Sequence, residues 1–149
     1  MSRPYGLVVF DALMLRALVV NDTERFPDEL TAFRVAFRDR RFRILMTEGI
    51  VSQYLIESIK PPQFRPQPTL DGLARNARAI YLDEYRLNRP HVQLAGLPQE
   101  HAAFVLDAVA AHASYCITNR PEWLKLTEQT ESTYGLQIVS PGRFVELEG

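Results

Sequence analysis

Short apolar runs recur along this chain, and each is followed by a stretch with helical spacing. Gly6-Leu-Val-Val-Phe-Asp11 is the first run, residues 42–47 the second, and Ser114-Tyr-Cys-Ile117 and 136–139 the later ones. Runs this short, bounded by polar or turn residues, read as buried strands. Between them, 12–20 is rich in Leu and Ala, 28–39 carries Leu30, Phe33 and Phe37 at core spacing, and 48–59 carries Ile50, Val51, Tyr54 and Leu55. A long helix is expected from a Thr69 cap to about Tyr85, with Leu70, Leu73, Ala77, Ile80 and Tyr81 on one stripe. Another starts at Pro98 and runs to about His112, with Phe104, Val105, Ala108 and Val109 as its core face. His91–Leu94 reads as one more short strand, 122–124 as a helical turn, and Ser140-Pro141 as the start of a short terminal helix. This alternation predicts an α/β chain: a three-layer α/β/α sandwich around a mainly parallel sheet of about four or five strands.

Nothing divides the chain into two domains. Residues 60–68 hold four prolines in nine positions and forbid helix and ladder alike, but neither flank is long enough for a comfortable core of its own. The expectation is one domain spanning 1–149. At 46% hydrophobic and 23% charged, the composition excludes a disordered chain. The apolar runs are far shorter than a membrane span needs, and the N-terminus has no long apolar core before a cleavage site. A soluble, cytoplasmic protein is expected, with no membrane partner. The one cysteine, Cys116, excludes an internal disulfide and a cysteine-rich metal cluster, and its place within a strand reads as a buried structural thiol.

Charge is unevenly spread. Residues 1–89 carry 14 basic and 11 acidic side chains, and 90–149 carry 3 and 7. The densest basic cluster is Arg34, Arg38, Arg40, Arg41 and Arg43. Helical spacing places Arg34, Arg38 and Arg41 on one face. That face has two readings: the solvated side of an amphipathic helix, or a contact to RNA phosphates.

In parallel sheets, ligands bind at the carboxyl ends of the strands. That rule selects Asp11, Thr47-Glu48 and Thr118-Asn119-Arg120. Other chemistries leave no trace. There is no glycine-rich phosphate loop and no serine elbow, and His91, His101 and His112 lack zinc-ligand spacing.

The C-terminal half carries a pattern with a name. Ala111-His-Ala-Ser-Tyr-Cys-Ile-Thr-Asn119, then Trp123-Leu124, then Tyr134-Gly-Leu-Gln-Ile-Val-Ser-Pro141 and Phe144, resembles the end of a PIN domain. Val8-Val-Phe-Asp11 resembles the first PIN strand with its terminal aspartate, and 42–47 with the following helix resembles the second strand and third helix. The resemblance is closest to PIN proteins that are toxin components of toxin–antitoxin pairs. It implies a magnesium- or manganese-dependent ribonuclease, because a hard cation needs converging carboxylates and then activates water.

On that resemblance, Asp11, Glu57 and Glu100 would hold the cation, with Asp11 and Glu100 as its ligands, and Asn119 would orient the phosphate or the water. RNA, an antitoxin protein and a second copy of the chain are the partners it implies. The motif is degenerate here. Ala12 and Leu13 follow the first acid, Tyr54 stands at the helix glutamate, His101 at the central aspartate, and Asn119-Arg120 in the last acidic turn. An arginine in a metal-binding position could pair with Asp11 and supply the missing positive charge. The alternative function is therefore a non-catalytic RNA- or protein-binding module that keeps the PIN fold. Asp11 has a plainer reading as well, as a cap of the helix after it.

Overall fold

The computed structural model describes residues 5–61, 63–83, 86–90, 94 and 97–149, and all but the side chain of Glu100 within its helices. In chain order the elements are β1 (Gly6–Phe10), α1 (Ala12–Val20), α2 (Pro27–Phe37), β2 (Phe42–Met46), α3 (Glu48–Ser58), α4 (Gln67–Arg75) and β3 (Ala79–Tyr81). Then follow α5 (Gln99–Ala110), β4 (Tyr115–Ile117), α6 (Pro121–Leu124), α7 (Thr127–Tyr134), β5 (Gln137–Val139) and α8 (Pro141–Glu148).

The caps are written in the residues at the strand ends. Asp11 follows β1, and its Oδ1 accepts the Met14 N–H at 2.9 Å, which starts α1. Thr47 follows β2 and does the same for α3 through the Ile50 N–H at 3.2 Å. Ser140 caps α8 through the Arg143 N–H at 3.1 Å, with Pro141 at the first helical position.

The five strands form one sheet in the order β3-β2-β1-β4-β5, and every pairing is parallel. Val8 pairs with Ile44 on one side and with Tyr115 on the other, so β1 is central. From β1 the chain steps outward to β2 and β3, then returns across β1 to β4 and β5. Two aromatic clusters pack the helices against the sheet and one another. Phe33 of α2 stacks on Phe10 at 4.2 Å between ring centroids, and Phe144 of α8 packs edge-on against Phe42 and Tyr115. Phe104 of α5 packs against Tyr54 of α3 and against Trp123 of α6. Each aromatic pair adds about 0.5–1.5 kcal/mol beyond the apolar area it buries.

The α/β architecture with a parallel five-strand sheet agrees with the sequence reading, and three local expectations are corrected. The helix expected over 69–85 from a Thr69 cap instead starts at Gln67, inside the proline-rich stretch and with no side-chain cap, and stops at Arg75. Asn76 caps it, Ala77 turns into the left-handed region at φ 56°, and Ala79–Tyr81 joins the sheet as an edge strand. Residues 127–134, for which no helix was expected, form α7. The helix carrying Arg34 ends at Phe37, and Asp39 and Arg40 take positive φ in a 3-10 turn that reverses the chain into β2. Arg41 therefore does not share a helix face with Arg34. Most of the strand expected over His91–Leu94 lies outside the described residues.

Candidate functional site

The strand order creates one topological switch point, between β1 and β4, where the chain leaves in opposite directions. Ligands of parallel sheets bind in the crevice such a reversal opens at the strand carboxyl ends. Asp11 ends β1 there, and Thr118-Asn119-Arg120 ends β4 beside it, since Phe10 pairs with Ile117.

Asp11 is fully buried. One oxygen caps α1, and the other accepts the Thr118 hydroxyl proton in a short hydrogen bond. Thr118 Oγ1 in turn accepts the Arg120 backbone N–H at 3.0 Å, which fixes the start of the turn. Burial pushes the Asp11 carboxyl above the ordinary aspartate range, while the Thr118 and Met14 hydrogen bonds, and then the Arg120 charge, pull it back down. The same burial, with Asp11 nearby, pushes the Cys116 thiol far up, so this cysteine is an inert part of the core. Tyr54, whose ionisation is opposed by burial and by Asp11, donates its hydroxyl to the Phe10 carbonyl at 2.6 Å.

Arg120 occupies the space in front of Asp11. Its Nε lies 3.8 Å from Asp11 Oδ2, and Nη2 lies 4.0 Å from Glu57 Oε1 on α3. The side chain is 18% exposed, so both pairings are screened by little water. Nε makes no hydrogen bond to any described residue, and the guanidinium is held by charge and by the Trp123 ring, 6.0 Å away. Glu57 is shared further: Lys60 Nζ lies at 3.2 Å, Gln53 Nε2 at 3.4 Å and His101 Nε2 at 3.9 Å. The Trp123 indole N–H donates to His101 Nδ1 at 3.4 Å, which orients the imidazole toward Glu57.

The structure thus brings Asp11, Glu57 and Arg120 together. Asn119 stands at the adjacent strand end, but it is exposed and donates to Glu29 of α2 at 3.1 Å rather than facing Asp11. The Glu100 side chain lies outside the described residues. Arg34, Arg38 and Arg41 lie toward the amino end of the sheet, away from Asp11. Arg41 is bound to Glu148 there, at 2.6 Å to both its carbonyl and its carboxylate.

Comparison with solved structures supports this architecture. The chain superposes on one chain of the crystal structure of VapBC2 from Rickettsia felis bound to a DNA fragment from their promoter, with a TM-score of 0.51. The match covers 90% of this chain and 98% of that one at 8% sequence identity. The fold is PIN-like. No family model matches the sequence, and no curated protein matches it.

A PIN-like fold raises the question of a divalent cation, and among the described residues the donor set does not suit one. Such a cation takes about six oxygen ligands. Both Asp11 oxygens already accept hydrogen bonds, and a guanidinium faces the outer one. Among the described residues no three His, Cys, Asp or Glu side chains are grouped to hold a metal ion. A cation entering between Asp11 and Glu57 would have to displace a fixed positive charge.

One buried acid escaped the sequence reading. Asp107 of α5 is fully buried, accepts the Thr47 hydroxyl at 2.6 Å and pairs with Arg89. It ties α5 to the end of β2, beside the cap of α3. The signal was present: 107 falls three residues after Phe104 and one before Ala108, inside the apolar arc of its helix.

Proposed function

We propose that this protein is a PIN-like component of toxin–antitoxin type that acts by binding a partner, its acidic site being closed by an internal arginine. The observation that carries this reading is Arg120, set between Asp11 and Glu57 where a metal-dependent ribonuclease would need a free cluster of carboxylates. The fold likeness to VapBC2, a toxin–antitoxin complex, supports the assembly class. Positive charge at the site is supplied from within, by Arg120 and by Lys60 beside Glu57. Asp11 then serves the fold, as the cap of α1 and the anchor of the Thr118 turn.

Magnesium or manganese chemistry through Asp11, Glu57, Glu100 and Asn119 is the competing reading, and the described donors, with Arg120 set between Asp11 and Glu57, weigh against it. The test is an RNA-cleavage assay with single-stranded and structured RNA oligonucleotides in magnesium or manganese. The wild-type protein is expected to leave them intact. Metal-dependent cleavage that disappears with Asp11→Asn would overturn the proposal.

A further inference from the structure

The arginine cluster of the sequence is redistributed in space. Glu148 neutralises Arg41. Arg34 and Arg38 instead border an open groove of about 550 Å³ between α1 and α2, and Arg78, just before β3, closes its far wall. The floor is apolar, made by Leu18 of α1 and by Phe33 and Phe37 of α2. Arg78 is held in place: its Nη1 donates to the Phe37 carbonyl at 2.6 Å, and its guanidinium lies 5.1 Å from the Phe37 ring centroid. Arg38 makes one long bond, 3.4 Å, to the Glu148 carbonyl, which leaves its charge uncompensated. Among the described residues no carboxylate lies within ion-pair distance of Arg34, Arg38 or Arg78.

Three uncompensated arginines around an apolar floor define a complementary ligand. It must carry several anionic groups and at least one apolar side chain at short spacing. We propose that this groove docks an acidic amphipathic peptide segment of a partner protein, its carboxylates on the three arginines and its apolar side chains on Leu18 and Phe37. RNA would satisfy the arginines through its phosphates, but that contact makes no use of the Leu18 side of the floor. The groove lies toward the C-terminal end of α1, whereas Asp11 caps the N-terminal end, so the inference stands apart from the fate of the acidic site.

The experiment is a selection from a phage-displayed random peptide library on the wild-type protein, counter-selected on the Arg34→Glu/Arg38→Glu variant. Both substituted residues are exposed, and circular dichroism checks that the variant is folded. Selected peptides are synthesised with a fluorescent label and titrated by anisotropy. They are expected to combine Asp or Glu with Leu, Ile or Phe, and to bind the variant at least about tenfold more weakly. Replacing their apolar residues with serine is expected to weaken binding as well. A library that yields no binder, binding that survives the charge reversal, or binding indifferent to the serine peptides would each overturn the proposal. A labelled single-stranded RNA that binds the wild type but not the variant, with no peptide doing so, would also overturn it and assign the arginines to phosphate.

Discussion

Removing the Arg120 charge should expose the cost of burying Asp11. At an effective dielectric of about 20, unit charges 3.8 Å apart attract by about 4 kcal/mol. The guanidinium loses hydration to reach this position and keeps some exposure, so the net loss expected for Arg120→Gln is about 1–3 kcal/mol. For a chain of this size, a loss near 2 kcal/mol lowers the melting temperature by about 4–8 °C. The pH dependence follows from the direction of the Asp11 shift. The folded-state value lies above the ordinary 3.8, so between the two the folded state binds more protons and stability falls as pH rises. Without Arg120 the folded value moves higher still. The deficit of the variant should therefore be full at neutral pH, shrink as pH falls through the folded value, and vanish below 3.8, where Asp11 is protonated in both states. Adding Asp11→Asn should recover most of the loss, because asparagine still caps α1 while the buried charge is gone. Thermal unfolding across pH for the two single variants and the double variant is the assay. An Arg120→Gln protein as stable as wild type at neutral pH, or an equal loss in the Asp11→Asn background, would show that the guanidinium does not stabilise the buried carboxylate.

Three further outcomes follow from single contacts. Thr118→Val removes the hydroxyl that bonds the buried Asp11 oxygen; it should cost about 2–3 kcal/mol in denaturant unfolding and move the Asp11 carboxyl further up. Burial, together with the hydrogen bond to Glu148 and its charge, holds the Tyr115 phenol up at about 12, so Glu148→Gln should lower it in an ultraviolet pH titration; an unchanged curve would count against that contact. At Gly6 a Cβ would sit 2.7 Å from the Phe42 ring, so Gly6→Ala should destabilise by about 1–3 kcal/mol through overpacking, and a neutral result would mean that β2 yields there.

The frame of the fold was legible because its signals are local. An apolar run ending in Asp11 or Thr47 announces both the strand and the cap of the next helix. The misreading of 69–85 has an equally local cause. Leu70, Leu73, Ala77 and Ile80 keep helical spacing across a turn that neither glycine nor proline marks, and only the left-handed Ala77 reveals it. α7 was invisible because Thr127–Tyr134 has no apolar stripe and buries only Thr130. At the site, the exchange of an acid for Arg120 pointed to a pairing with Asp11, and the guanidinium does face it. The convergence of Lys60, Gln53, His101 and Trp123 on the same cluster was not legible, because it depends on the approach of α3, α5 and α6 in space. The arginine cluster shows the converse: residues adjacent in sequence were parted by a two-residue reversal at Asp39 and Arg40.

On the proposed function, Arg120 fills the electrostatic role that a divalent cation would play between Asp11 and Glu57. A calorimetric titration of the wild-type protein with manganese, with Asp11→Asn beside it, tests this most directly. Neither protein is expected to bind manganese saturably. Saturable binding by the wild type that is lost in Asp11→Asn would contradict that role for Arg120.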